Sequence, residues 1–218
     1  MRIVYEDDSI IVIHKDAGEA TQTKKASAED VVSMLKKHIC AETGIKKDPY
    51  VGVIHRLDQP VEGLLVFAKS KTAAAELSRQ IQGDLINKIY TATVEGVLSE
   101  QSSEVLIDYI YKDTKENKAV IADSADIRAQ SGKEIKRAEL SYKVLKADDA
   151  ENISVLKIHL KTGRFHQIRA QLSFMGHPIT GDVKYGAKKS SLKGIGLIAS
   201  ELDFIHPKTK EKMHFEIT

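Results

Sequence analysis

The amino-acid sequence predicts an α+β fold built on an antiparallel sheet with flanking helices. Three observations carry that expectation. Short β-branched or alternating runs recur along most of the chain, while three other stretches place apolar residues at helical spacing. No fixed-period repeat is present, and no Pro-rich or Gly/Ser-rich linker divides the 218 residues, whose 4 prolines are scattered. A single catalytic-size domain over residues 1–218 is therefore expected, as one large body or two joined lobes.

Ile3-Val4-Tyr5 and Ile10-Ile11-Val12-Ile13 are β-branched runs parted by Glu6-Asp7-Asp8-Ser9, which predicts an opening hairpin. Val31, Leu35 and Ile39 then recur at helical spacing, with Ser27 as the expected N-cap, Asp30 three residues on, and Gly44 marking the end. Val51 to Ile54 and Leu64 to Ala68 read as strands around the segment His55 to Gly63, and Ser70 caps a helix running towards Gly83. Ile86 to Val94, Ile135 to Leu145 and Ile153 to Leu160 carry sheet alternation, with Lys112 to Lys118 as a charged turn. Phe165 to Met175 returns to helical spacing, Gly176 follows it, and Gly194 to Phe204 and Met213 to Ile217 finish as extended segments.

Lys and Arg number 33 against 31 acids, a net charge of +2, so any nucleic-acid surface has to come from local clustering. Met1 to Asp8 passes straight from a short apolar run into acids, and no later stretch is apolar for long enough to span a bilayer. A cytoplasmic protein with no membrane partner is expected. Cys40 is the single cysteine, which excludes an intrachain disulfide, and no Cys-x-x-Cys or His-Glu-x-x-His spacing offers a metal site.

Four segments concentrate chemistry. In His55-Arg56-Leu57-Asp58-Gln59-Pro60, an acid sits in an otherwise apolar stretch. A carboxylate there is either part of a structural ion pair that closes a turn or an ionised group held ready as a nucleophile. In Gly163-Arg164-Phe165-His166-Gln167-Ile168-Arg169, helical spacing puts Arg169 at the edge of the stripe Phe165, Ile168, Leu172 and Met175, facing inwards. A buried guanidinium needs an acid, because breaking such a pair costs roughly 3–5 kcal/mol. Asp58 is the expected partner. Arg164, with His166 near it, lies at the helix start, where it either meets an anion such as a phosphate or stays solvated. In Asn87-Lys88-Ile89-Tyr90, alternation puts Lys88 and Tyr90 on one face; Tyr90 is either a half-buried sheet residue or a group that stacks on a base or assists proton transfer. Gly176-His177-Pro178-Ile179-Thr180-Gly181-Asp182-Val183-Lys184-Tyr185-Gly186 demands a loop with unusual backbone dihedrals, and Lys188 and Lys189 give it a basic tip. That tip is either a phosphate-contacting rim or a solvated turn.

Together, in this order, the four segments resemble the motif set of RluA-type RNA pseudouridine synthases over nearly the whole chain. The resemblance implies a pseudouridine synthase fold, a mixed and mainly antiparallel sheet with a central catalytic cleft. It implies an isomerase that flips a uridine out of rRNA or tRNA, with no metal and no organic cofactor. Asp58 then takes the role of the catalytic aspartate, Tyr90 that of the cleft tyrosine, and Arg169 that of the arginine paired with the aspartate. His55, Arg56, Arg164, His166, Lys184, Lys188 and Lys189 become the expected RNA contacts of a monomer that acts on structured RNA rather than DNA. Two departures stand out: Val61-Glu62-Gly63 where the family commonly has Thr-Ser-Gly, and His14-Lys15-Asp16 where it commonly has Asn-Lys-Pro. Many relatives also carry a small N-terminal RNA-binding domain, whereas this sequence opens directly on the catalytic region. Two other classes remain open, a non-catalytic RNA-binding or chaperone protein and a hydrolase using Asp58 with His55 or His166.

Overall fold

The computed structural model describes residues 1–23, 29–44, 47–123, 134–191 and 193–217. The chain divides into two compact units, Met1–Lys88 with Ala199–Thr218, and Ile89–Ile198.

In the first unit, β1 (Arg2–Glu6) and β2 (Ile10–Lys15) form the expected hairpin. Asp7 closes its turn, because Oδ1 accepts the N–H groups of Ser9 and Ile10 at 2.7 and 2.9 Å. β2 pairs antiparallel with β4 (Glu62–Ala68), which also carries the short β3 (Gly52–Val53). β10 (Leu197–Ile205) lies beside β4, and β11 (Lys212–Glu216) pairs antiparallel with β10. Ile10–Ile13 and Leu64–Ala68 are apolar at every position, since both faces of these central strands are buried. One face, with Ile10, Val12, Leu64 and Val66, packs with Leu202 and Phe204 and with Ala73 and Leu77 of α2 (Lys71–Gln82). Each fully buried Leu, Ile or Phe contributes about 1.5–3 kcal/mol.

The helix ends follow their capping residues. Ser70 Oγ accepts the Ala73 N–H at 3.1 Å and starts α2 as expected. α1 (Val31–Thr43) buries Val31, Leu35 and Ile39 and ends at Gly44 in the left-handed region. Its N-cap is Asp30, whose Oδ1 accepts the Ser33 N–H at 2.8 Å. The expected cap, Ser27, lies outside the described residues.

In the second unit, the strand order is β5 (Asn87–Glu95), β9 (Ile153–Leu160), β8 (Lys136–Asp148), β6 (Ser103–Asp113) and β7 (Lys118–Ile121), with every pairing antiparallel. The charged turn at Lys112 to Lys118 is thus the tip of a hairpin whose strands the sequence did not announce. β6 has apolar residues at successive positions, Val105, Leu106 and Ile107, and leaves Val105, Ile107 and Tyr109 exposed, so it lacks the alternation of a half-buried strand. α3 (Gln167–Phe174) packs on β6 and β7 and starts two residues after Phe165, because His166 adopts φ 49° and cannot join it. A short 3₁₀ turn (Val183–Tyr185) follows. The fold class is α+β, as expected.

Candidate active site

Asp58 lies on the loop between β3 and β4, and its backbone carbonyl closes a turn by accepting the Val61 N–H at 3.0 Å. Both flanks of this loop are tied down. Leu57 exchanges two bonds with the Thr21 hydroxyl, which accepts its N–H at 3.3 Å and donates to its carbonyl at 3.0 Å. On the other side, Gln59 exchanges two bonds with Gly18, Gln59 O accepting the Gly18 N–H at 2.8 Å and Gln59 Nε2 donating to Gly18 O at 2.9 Å. The half-buried Asp58 side chain stands between these anchors. Gly63, where β4 begins, has φ 128°, and a Cβ there would collide with the backbone of Ala199, so the loop can rejoin the sheet only through glycine.

Beneath the loop is a residue that sequence reasoning gave no role. Lys15 is fully buried, and its Nζ donates to the carbonyls of Asp16 and Glu19 at 2.9 Å and of Gln59 at 3.2 Å. Burial pushes its ammonium down to about 8, against the opposing pull of Glu19, Asp16, Asp58 and Glu62. The sequence signal was there: Ile11, Ile13 and Lys15 share one parity of β2, so the lysine continues a buried row.

His55 precedes this loop and turns towards the sheet, where its Nε2 accepts the Val66 N–H at 3.4 Å. Burial, and then the charge of Lys88, push its pKa down to about 3. Lys88 is half-buried, and burial lowers its own pKa. Arg56, one residue on, is exposed. Tyr90 is buried on β5 opposite Ile158 of β9.

In the second unit, Arg169 does face inwards. Its Nε and Nη2 donate to the two carboxylate oxygens of Asp182 at 2.7 and 2.9 Å, a bidentate pair with side chains only 6% and 2% exposed. Asp182, which sequence reasoning gave no role of its own, is the acid that Arg169 meets within its own unit. The guanidinium also lies 4.9 Å from the centre of the Tyr185 ring. The Tyr185 hydroxyl accepts the Ala119 N–H at 2.7 Å and is hydrogen-bonded to His166 Nδ1 at 2.9 Å. The pKa of His166 is pushed down to about 3 by burial and by the charges of Arg169 and Lys184. Neither His55 nor His166 carries at neutral pH the positive charge that a phosphate contact would use.

α3 itself is mounted by two buried glutamines. Gln167 Oε1 accepts from the Thr162 hydroxyl and the Arg164 N–H, while its Nε2 donates to Glu139 O and to Gln171 Oε1. Gln171 in turn donates to Asp108 of β6 at 2.7 Å. The loop beyond α3 has the demanded backbone, with Gly176, Gly181 and Gly186 at φ 89°, 77° and 95°. Lys184, Lys188 and Lys189 are exposed on it, and Arg164 is exposed before α3. Among the described residues, no group of three or more His, Cys, Asp or Glu side chains could hold a metal ion, and no helix is long and apolar enough to cross a membrane.

Comparison with known proteins places this arrangement. The sequence profile of the RNA pseudouridylate synthases matches residues 9–174. A protein named as an uncharacterized RNA pseudouridine synthase of Aquifex aeolicus (strain VF5) is 35% identical over 227 residues, covering 100% of this chain and 69% of that protein. A ribosomal large subunit pseudouridine synthase D of Zymomonas mobilis is 30% identical, covering 99% and 68%, and a tRNA pseudouridine synthase C of Haemophilus ducreyi is 31% identical, covering 97% and 88%. Among solved structures, human RNA pseudouridylate synthase domain containing 4 superposes with a TM-score of 0.76 at 22% identity, covering 100% of this chain and 88% of that one, which shows the shared fold. The chain belongs to the RluA-type RNA pseudouridine synthases, isomerases that act on RNA.

Proposed function

We propose that this chain, working as a monomeric cytoplasmic enzyme of one catalytic domain, converts specific uridines of rRNA or tRNA to pseudouridine with Asp58 as the nucleophilic carboxylate. The observation that carries this assignment is the double tether of the Asp58 loop, which fixes one half-buried carboxylate between two anchored neighbours. A nucleophile needs such positioning more than it needs auxiliary chemistry, because the reaction breaks the glycosidic bond, turns the uracil and rejoins it through carbon five with loss of one proton. The target nucleotide has to leave its stack first. In this reading Tyr90 faces the flipped base, and Arg169 is the third catalytic residue. The names of the relatives support both RNA classes, since one is a ribosomal large subunit synthase and another a tRNA synthase.

The test is a map of pseudouridines in total RNA from cells with and without the protein. Sites that vanish on deletion and return with the parent gene, but not with the Asp58→Asn variant, identify the target. An unchanged map would favour the non-catalytic RNA-binding protein.

The RNA contacts belong to the same proposal. Arg56, Arg164, Lys184, Lys188 and Lys189 are exposed and charged, whereas His55 and His166 act in this set by position and not by charge. Replacing Lys188 and Lys189 together by Ala is expected to lower the slope of log affinity against log salt by about 1.4, or about 0.7 per lost contact with a single strand. The Michaelis constant should rise, with the single-turnover rate at saturating RNA close to that of the parent. Filter binding over a salt series checks this, and an unchanged slope would make the tip a solvated turn.

A further inference from the structure

We infer that a cleft in the second unit, formed by β6, the start of β8 and the turn before α3, binds one phosphodiester of the RNA outside the target nucleotide. This rests on the RNA-modifying reading above and adds Tyr111, Lys112 and Lys136, which the four motifs do not contain, to Arg164, which they do. The cleft has a volume of about 270 Å³ and is lined by Tyr111 and Lys112, Glu134 and Lys136, and Arg164 and Phe165, with Ile110 and Gly163 completing it. That is below the usual 300–1,000 Å³ of a pocket that engulfs a whole small molecule, and it suits one unit of a longer ligand.

The charges favour an anion. Three cations line the cleft against one acid, Glu134, which is exposed and already paired with Lys136 at 2.8 Å. Lys112 Nζ sits 4.3 Å from the centre of the Phe165 ring, and that ring stacks on His166 at 3.8 Å between centroids. The lysine is therefore held over an aromatic platform that cannot neutralise it. The Arg164 stem is fixed by Nε donating to Arg137 O at 3.0 Å, which leaves both Nη groups for another acceptor. Two positioned cations converging on a small cleft are what a phosphate group needs, and a half-buried tyrosine beside them can meet the adjoining sugar or base. The cleft is also tied to the rest of the unit's machinery. Arg164 lies five residues before Arg169, and its N–H is bonded to Gln167, the first residue of α3.

The test uses the full chain with Lys112→Ala and Lys136→Ala combined, and fluorescein-labelled polyuridylate as the binding probe. The salt slope is expected to fall by about 0.7, the share of Lys112, because Lys136 is already paired with Glu134. The Michaelis constant for total RNA extracted from cells lacking the protein should rise roughly five- to thirtyfold, with the effect on the rate at saturation much smaller. The Lys112→Arg variant should restore most of the slope, which a merely structural lysine would not require. A parental slope and Michaelis constant in the double variant would overturn the proposal while leaving pseudouridine formation standing. Tight binding of uridine monophosphate in the cleft with an unchanged slope would overturn it too, since the cleft would then serve a free nucleotide. If the parent itself formed no pseudouridine and bound no polyuridylate, the underlying reading would fall first.

Discussion

Asp58→Asn is expected to reduce pseudouridine formation by on the order of 10⁴-fold or more, because it removes the proposed nucleophile. The amide keeps the side chain's shape, and the bonds from Thr21, Gly18 and Lys15 to Leu57 and Gln59 are untouched by the change. Thermal unfolding and RNA affinity should therefore stay close to the parent. Tritium release from RNA labelled at carbon five of uridine reads the activity, and circular dichroism reads the fold. Turnover near the parent rate would remove Asp58 from its assigned role.

Arg169→Met should be nearly as inactive and also less stable. The substitution leaves Asp182, 2% exposed, as a buried carboxylate without its cation, which costs about 3–5 kcal/mol. For a chain of this size that corresponds to a fall of roughly 6–20 °C in the unfolding midpoint. The double variant Arg169→Met/Asp182→Leu separates the two effects. It should regain much of the stability, because an apolar pair replaces an ionic one, and it should regain none of the activity if Arg169 is a catalytic residue as proposed. Parent-level activity in either variant would mean that the arginine serves only the fold.

The elements that sequence reasoning located have signals that are local. Ser70 and Gly44 mark helix ends through bonds to residues three or four positions away, and the opening hairpin closes on the Asp7 carboxylate within its own turn. β6 was invisible because its exposed Val105, Ile107 and Tyr109 sit on the face where polar residues would have revealed the strand period. α3 lost its first two expected residues to a left-handed His166, held there by stacking on Phe165 and by the Tyr185 hydroxyl, and that tyrosine is 19 positions away. The same distance rule governs the site. The inward aim of Arg169 follows from helical spacing and is observed, yet the identity of Asp182 as its partner needed the loop's folded path. Lys15 shows the limit most clearly, since one of its three acceptors is Gln59, 44 residues further along the chain.

The bidentate lock between Arg169 and Asp182 has an evolutionary side. Because the arginine has a carboxylate partner inside the unit that carries it, that unit holds its own buried ion pair whatever residue stands at position 58. Chemistry and scaffold are then separately heritable. A lineage could lose the carboxylate at position 58 in a single step and keep a well-formed RNA-gripping protein, open to selection for chaperoning or assembly. Another could vary its recognition loops freely around a catalytic geometry that stays intact, which is how one scaffold can come to serve different classes of RNA.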